Sequence, residues 1–301
     1  MTLHPITFLL AALGAMAALF TWLWTAALLR LRRLGPQSEG TEAFGKPGFT
    51  DGLIGFVGMF LDTLGIGSFA PTTALLRAFG RIPDRLLPGT LNAGHSLASI
   101  LQAFIFTVII PVDAATLILM VASATLGAWL GAGVVSGWPR RRIQAGMGVA
   151  FLVAACLMLL GQLQWLPSGG SAIGLTGGWL VLAVAGNLAL GALMTLGIGL
   201  FAPCMIMLSF LGMSPKAIFP IMMASCAFLM PVGGLRFIRA HSYSPRVALA
   251  LTLGGIPAVL IAAFIVKAIP LGVLRWIVIL VVVYTGLMLL KAAKGGTEAE
   301  D

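Results

Sequence analysis

The sequence predicts an all-α polytopic membrane protein made of two related halves and an additional N-terminal helix. Of its 301 residues, 59% are hydrophobic and only 9% are charged, and the mean hydropathy is +1.06. Soluble proteins carry about 25% charged residues, so this chain has too few polar side chains to cover a surface in water. Its Leu, Val, Ile and Ala runs lack the alternation of transmembrane β-strands, which favours membrane-spanning helices.

The second observation behind this fold class is an internal repeat. The stretch "LDTLGIGSFAP" at Leu61–Pro71 returns as "LMTLGIGLFAP" at Leu193–Pro203. A shift of 132 residues aligns Leu61–Leu97 with Leu193–Leu229 without a gap, and 14 of the 37 positions are identical. Leu and Ala match by chance in apolar sequence, whereas the aligned Gly, Pro and Phe residues are informative. Each repeat therefore contains one glycine-rich interrupted segment followed by three spans.

The first apolar run is predicted to be a retained anchor helix. Ile6–Leu29 is 24 residues long, which exceeds the apolar region of a cleaved signal peptide. The basic cluster Arg30–Arg33 follows this run, which predicts an N-terminus outside the cell. The chain is then divided into an anchor helix at 1–33, a cytoplasmic linker at 34–50, repeat 1 at 51–166, repeat 2 at 179–292 and a disordered tail at 293–301.

Each repeat is divided further by its Gly, Pro and charged residues. The interrupted segments lie at roughly 51–80 and 179–212. The predicted spans of the two repeats lie at roughly 87–110, 114–137, 143–163, 217–238, 247–267 and 273–291.

The basic residues indicate how the interrupted segments sit in the membrane. If each segment crosses completely, the 18 Lys and Arg residues divide 9 to 9 between the two sides; if each returns to the side it came from, they divide 15 to 3. Cytoplasmic segments are enriched in Lys and Arg, so re-entrant segments are favoured. This arrangement predicts seven full spans, a cytoplasmic C-terminus and inverted-topology repeats, with a tilted broken helix that crosses the membrane as the alternative.

The two breaks are predicted to bind a small anion. Pro71 and Pro203 suit the first turn of a helix, where no backbone N–H is required. The free N–H groups of such a turn carry partial positive charge, and paired discontinuous helices indicate a transporter site at mid-membrane. The alternative is that Gly and Pro only permit close helix packing. The predicted anion-binding residues are Gly65, Gly67, Ser68, Phe69, Pro71, Thr72, Thr73, Asn92, Gly197, Gly199, Phe201, Pro203 and Cys204.

Asp62 and His95 are the predicted proton-coupling residues. Asp62 lies well inside an apolar run, where a carboxylate is costly and indicates function, and histidine titrates near neutral pH. The alternatives are a hydrogen-bonded structural carboxylate and a histidine that only packs. In "NAGHSLASILQ", Asn92, Ser99 and Gln102 recur at helical spacing, which predicts a polar stripe that faces the cavity or bonds to another helix.

Other function classes are disfavoured by the sequence. The formal net charge of +9 comes from basic residues at the ends of apolar runs, such as Arg140–Arg142, so nucleic-acid binding is not predicted. The sequence contains no nucleotide-binding loop, Ser–His–Asp arrangement or metal-ligand cluster, so we predict no enzyme activity, cofactor or metal. An odd number of cysteines in apolar stretches argues against a disulfide framework.

The duplicated break, "PGTLNAGHSLASILQAFIF" and the following "PVDAATLILMVASATLGAWLGAGVVSGWPRRRIQAGMGVAFLVAACLMLL" resemble the TauE/SafE-type sulfite and organosulfonate exporters (TSUP) over about residues 51–290. The resemblance implies a two-repeat transporter of small sulfur-containing anions that works without ATP hydrolysis. The chain departs from the family's threonine-rich element, with Gly89–Asn92 in the first half and Ile221–Ala224 in the second. This departure disfavours a symmetric polar site.

We therefore expect a secondary transporter that moves sulfite or an organosulfonate across the bacterial inner membrane. The resemblance implies export, and proton coupling is predicted. The expected partners are a small anionic substrate and the lipid bilayer, and the sequence leaves a homo-oligomer open. The alternatives are a passive anion channel and a non-transporting membrane scaffold or assembly subunit.

Overall fold

The computed structural model describes residues 5–33, 47–107, 110–165, 169–197, 199–265 and 271–295. These residues form an all-helical fold with one isolated β-bridge. Its eleven helices are α1 (Pro5–Arg33), α2 (Phe49–Thr63), α3 (Phe69–Ala78), α4 (Leu87–Thr107), α5 (Ala114–Val135), α6 (Arg140–Gln162), α7 (Gly177–Met194), α8 (Phe201–Phe210), α9 (Pro215–Arg239), α10 (Pro245–Ile265) and α11 (Leu271–Gly295).

Both predicted interruptions are confirmed as breaks between two helices. The first separates α2 from α3 and the second separates α7 from α8. The short helices that follow, α3 and α8, are each 10 residues long and begin at Phe69 and Phe201, which are aligned by the 132-residue shift. Pro71 and Pro203 lie in the first turns of these helices, as predicted from their missing N–H groups.

Six of the described helices are long and apolar enough to cross a membrane, which identifies the chain as a membrane protein. They are α1, α5, α6, α7, α9 and α10. The sequence predicts that α7 is part of an interrupted segment and not a full span. The helix has 18 residues, or about 27 Å, so its length alone does not separate a span from the long arm of a hairpin.

Helices α2 and α3 form a hairpin that is closed by an ion pair. Asp51, in the first turn of α2, accepts two hydrogen bonds from Arg81, which follows α3, at 2.6 and 2.9 Å. Asp51 is fully buried, and its carboxylate raises the pKa of Arg81 above its usual value through these hydrogen bonds. The two ends of the α2–α3 segment therefore lie side by side. We call this end of the helix bundle end A.

Helices α7 and α8 form a second hairpin, which is closed by main-chain hydrogen bonds. A β-bridge joins Ala172, before α7, to Met213, after α8. The Gly170 N–H donates to the Met213 carbonyl at 3.0 Å, and the Ser214 N–H donates to the Ala172 carbonyl at 2.8 Å. The two ends of this hairpin also meet, without an ion pair. We call this end of the bundle end B.

The joined ends of the two hairpins lie at opposite ends of the bundle. Helix α4 starts directly after the Arg81 loop and its 21 residues rise about 31 Å, away from end A. Helix α5 then starts at end B, where the Asp113 N–H donates to the Ile173 carbonyl at 2.9 Å. At end A, the Gln144 side chain of α6 donates to Asp84 at 2.8 Å. The break between α2 and α3 and the break between α7 and α8 thus point toward each other.

Helix packing joins the first half of the chain to the second. The α2 helix packs against α10, and α7 packs against α5. The α4 helix packs against its counterpart α9, and α6 against its counterpart α11. The α1 helix packs on α9 and α4, where Phe20 and Trp24 form an apolar cluster with Tyr243. Most residues of the central helices α4 and α9 are buried.

Helix bounds differ from the predicted ones only near the ends. Helix α2 begins at Phe49, inside the predicted linker 34–50, and residues 34–46 lie outside the described residues. Helix α11 continues to Gly295, so the predicted disordered tail at 293–301 is wrong over its first three residues. Residues 296–301 lie outside the described part of the chain.

The ion pair at end A predicts a stability effect. Arg81→Gln leaves the Asp51 carboxylate buried without its cation, which we expect to cost about 1–3 kcal/mol. The thermal unfolding midpoint of the purified protein in detergent measures this loss. Arg85→Gln is the matched control, because Arg85 is exposed in the same loop. Equal midpoints for the two variants would contradict the role of the pair, whereas partial recovery in Asp51→Asn/Arg81→Gln would support it.

Candidate functional site

The first break is a compact turn whose backbone is largely satisfied by the end of α2. The Gly65 N–H donates to the Asp62 carbonyl at 2.8 Å, and the Ile66 N–H donates to the Leu61 carbonyl at 3.1 Å. Gly65 and Gly67 have φ of +79° and +99°, which L-residues with a side chain rarely adopt. Glycine therefore permits the reversal between α2 and α3.

The second break repeats this backbone conformation. Gly197 and Gly199 have φ of +93° and +74°, and the Gly197 N–H donates to the Met194 carbonyl at 2.9 Å. A Cβ at Gly197 would lie 3.2 Å from the Met147 side chain of α6, so this position requires a small residue. A Cβ at Gly67 or Gly199 would meet no atom within 4 Å, so these two glycines border open space.

The two breaks line one cavity of about 30 Å³. Gly67, Phe69 and Pro71 come from the first break, and Gly199 and Phe201 from the second. The remaining lining residues are apolar and come from the breaks and from α6 and α11: Ile66, Ala70, Ala154, Met158, Val278 and Val282. Five predicted anion-binding residues thus meet at one place. A cavity of about 10–15 Å³ in this measure holds one water molecule, so this cavity has room for about two waters, and a larger guest requires the helices to move.

The first turns of α3 and α8 bring apolar side chains to this cavity, and none of the lining residues that the structure describes has a polar side chain. The N-cap residues, Ser68 of α3 and Leu200 of α8, form no capping hydrogen bond through their own side chains. Free N–H groups and the helix dipole give each N-terminus a positive potential, which attracts anions and repels cations.

Asp62 lies beside the first break and is 1% exposed. Its Oδ1 accepts the N–H of Ser68, the residue before α3, at 2.7 Å. Its Oδ2 and the Ser68 hydroxyl are buried and have no hydrogen-bond partner among the described residues. The prediction that Asp62 is buried in an apolar environment is therefore confirmed, and its contact is with the N-terminus of α3.

His95, Thr72 and Thr73 lie behind the cavity lining. The Thr72 hydroxyl and His95 Nε2 share a hydrogen bond of 3.2 Å, and both residues are fully buried. The His95 ring packs against Phe69, with centroids 6.3 Å apart. A Cβ at Gly58 of α2 would collide with Thr72 Oγ1, so this glycine makes room for the pair. His95 Nδ1 and Thr73 Oγ1 have no hydrogen-bond partner among the described residues.

The polar stripe of α4 faces other helices and does not line the cavity, so the second of the two interpretations of its spacing applies. Ser99 donates to the Met230 sulfur of α9 at 3.0 Å. Asn92 donates to the Pro88 carbonyl at 2.8 Å, and its Oδ1 lies toward Gly233 of α9. The Gln102 amide donates to the Thr63 hydroxyl at 3.4 Å. Interhelical hydrogen bonding, the alternative for this stripe, describes Ser99 and Gln102.

The remaining predicted site residues are placed near the second break. Cys204 is fully buried in the first turn of α8, and Cys226 of α9 is also fully buried. Pro203 lies in the same turn, outside the cavity lining. In the described part of the chain, no group of three or more His, Cys, Asp or Glu side chains lies close enough to hold a metal ion.

The polar contacts that hold the ends of the hairpins together were not predicted from the sequence. Asp51 and Arg81 join the ends of the first hairpin, and Asp84 binds both Arg77, at 3.0 Å, and Gln144. The opposite charges of Asp51 and Arg81, at the two ends of the first interrupted segment, could have indicated this ion pair. The pairing at Ala172 has no such signal, because it uses only main-chain groups.

Comparison of the chain with protein-family models, curated proteins and solved structures gives no match.

The geometry of Gly67 predicts a selective effect on ligand binding. Gly67→Leu places a side chain in the cavity and should eliminate binding of a small anion such as sulfite, measured by calorimetry on the purified protein. Gly80→Leu is the matched control: Gly80 also has positive φ, of +57°, and open space around it, but lies exposed beyond α3. Loss of binding in both variants, or in neither, would contradict a specific role for the cavity.

Proposed function

We propose that this membrane protein is a secondary transporter of small anions, built from two inverted-topology repeats that each contribute one helix N-terminus to a central site. The observation that carries the proposal is the cavity shared by Gly67 and Phe69 of one break and Gly199 and Phe201 of the other. A break at membrane depth exposes backbone groups that lipid cannot satisfy, so it is tolerated only inside protein or beside a cavity. Transporters use such breaks at their substrate sites.

Helix packing supports the inverted repeat. The first repeat comprises α2 to α6 and the second α7 to α11, so α2 corresponds to α7 and α5 to α10. The contact between α2 and α10 therefore has its equivalent in the contact between α7 and α5. The two hairpins close at opposite ends of the bundle, at Asp51 and at Met213. Two units of one architecture with opposite directions are related by an axis in the membrane plane.

The charges support a cytoplasmic location for end A. Its basic residues include Arg77 in the last turn of α3, Arg81 after α3, the run Arg140–Arg142 and Arg239 at the end of α9. At end B, the described helix ends carry Lys216 of α9 and Arg275 of α11. Cytoplasmic ends of membrane helices are enriched in Lys and Arg. This orientation makes both hairpins re-entrant, and it places the N-terminus of α1 outside the cell.

The short arms support a site near the middle of the membrane. Helices α3 and α8 have 10 residues each and rise about 15 Å, which is about half of a 30 Å hydrocarbon core. A short arm that starts at either face therefore brings its N-terminus close to the midplane.

An anion is the substrate class that this site favours, because the lining offers helix N-termini and no acidic side chain. The resemblance to TauE/SafE-type exporters narrows the class to sulfite or organosulfonates and implies export. Asp62, buried beside the first break, is the candidate for proton coupling. His95, which is hydrogen-bonded to Thr72 of α3, is the second candidate for proton coupling.

The orientation predicts a labelling pattern for two aligned positions. In a protein whose native cysteines are replaced by serine, Ala78→Cys should react with a membrane-impermeant maleimide only from the cytoplasmic side. Phe210→Cys, its counterpart under the 132-residue shift, should react only from outside; both positions are exposed. Labelling of both cysteines from one side would contradict re-entrant hairpins of opposite direction.

Transport itself is tested in proteoliposomes with sulfite, thiosulfate, sulfoacetate and non-sulfur anions. We expect a pH gradient to drive accumulation of a sulfur-containing anion above equilibrium, and Asp62→Asn to abolish this driving effect. A passive channel would equilibrate the anion without accumulating it, and a scaffold would give no flux. Unchanged pH coupling in Asp62→Asn would reject Asp62 as the coupling residue.

A further inference from the structure

The first turn of α3 borders the cavity through Phe69 and Pro71, and the same helix N-terminus is contacted from outside the lining by Asp62. Its Oδ1 lies 2.7 Å from the N–H of Ser68, directly before the first residue of that helix. A carboxylate at a helix N-terminus is stabilised by the helix dipole and by the free N–H groups. The positive end of α3 is thus already matched by a negative group of the protein itself.

The second break lacks this internal anion. The residue aligned with Asp62 is Met194, and neither α7 nor α8 contains an acidic residue. The first turn of α8 is preceded by Leu200, which offers no side-chain cap. The positive end of α8 therefore faces the shared cavity without a carboxylate beside it.

The Asp62 carboxylate is only half satisfied. Its Oδ2 and the neighbouring Ser68 hydroxyl are buried and meet no partner at good hydrogen-bond geometry among the described residues, with the Gln102 side chain of α4 close by. Burial of an ionised group with an incompletely paired oxygen is costly, and protonation removes the charge. A neutral carboxyl group also holds the Ser68 N–H less strongly, which frees the end of α3.

No charged side chain competes for Asp62 from the helices packed around it. Asp62 forms no salt bridge in the described part of the chain. The titratable groups of α4, α8 and α9 nearest to it are His95, which bonds to Thr72, and the thiols of Cys204 and Cys226. The one charged residue of α10, Arg246, lies in the first turn of that helix, at end A, and Arg77 of α3 is paired with Asp84.

Resting on the proposed function, we infer that Asp62 is a tethered competitor of the transported anion. While Asp62 is ionised, it fills the positive end of α3, and the anion has only the N-terminus of α8. When Asp62 takes up a proton, the anion gains both helix ends. Anion and proton therefore bind together and cross in the same direction, and the larger of the two gradients sets that direction.

The test measures affinity of the full-length purified protein for methanesulfonate, which stays singly charged between about pH 5 and about pH 8, a range that spans the titration of a buried carboxylate. For the wild type, the apparent Kd should rise with pH, by up to about tenfold per unit. Asp62→Asn, a nearly isosteric neutral variant, should bind at pH 8 about tenfold more tightly than wild type and show no pH dependence.

A second pair of variants moves the competitor to the other break. Met194→Asp puts a carboxylate beside α8 and should weaken binding at pH 8 by about tenfold or more, because both helix ends are then occupied. Met194→Asn is the matched neutral control for the polar substitution in a buried position. We expect it to bind within about threefold of wild type.

The outcomes separate the two proposals. If the wild type binds methanesulfonate but Asp62→Asn has the same affinity and pH dependence, the competitor role is wrong and the anion transporter stands. Equal weakening of anion binding by Met194→Asp and Met194→Asn would likewise reject the competitor role and leave the anion transporter standing. If neither the wild type nor Asp62→Asn binds any anion of the panel, the proposed function itself is wrong, and this inference falls with it.

Discussion

The whole structure depends on satisfying the backbone of two broken helices inside an apolar protein. A break at membrane depth leaves N–H and C=O groups that neither lipid nor a continuing helix can pair. At the first break, the end of α2 accepts the N–H groups of Gly65 and Ile66, and the Asp62 side chain accepts that of Ser68. The first turns of α3 and α8 border a cavity that, among the described residues, no polar side chain lines. Free N–H groups at a helix N-terminus carry partial positive charge, so the shortage of partners that makes a break costly also favours negative charge at these helix ends.

The two halves reach one geometry by different chemistry. Each hairpin must hold its two ends together at one end of the bundle. The first does so with the Asp51–Arg81 pair, and the second with the main-chain bridge at Ala172 and Met213. The first closure depends on charge and the second on main-chain hydrogen bonds, so the two ends respond differently to salt and to substitution. A common fold therefore leaves each half free to differ where function requires it.

The same asymmetry appears at the tips of the hairpins. Asp62 lies beside α3, whereas Met194 lies at the aligned position before α8. The polar side chains of α4, from Asn92 to Gln102, are fully buried and bond within α4 or to α2, α3 and α9. Near the breaks, the first half thus has a carboxylate and an imidazole where the second half has methionine and alanine. The cavity between the two halves is therefore asymmetric.

The sequence by itself determined the membrane class, the helix positions and the two breaks, because these follow from local properties. Apolar runs of sufficient length form helices in a bilayer, and Gly and Pro at fixed spacing interrupt them. It also identified Asp62 as buried, because a single carboxylate inside an apolar run has no exposed surface to reach. Only the tertiary structure decided which groups meet. The 132-residue shift does not reveal that both tips line one cavity, that the α4 stripe faces other helices, or that Ser68 donates to Asp62. These contacts depend on how helices distant in sequence pack, and neither spacing nor hydropathy along the chain encodes the distance between such helices.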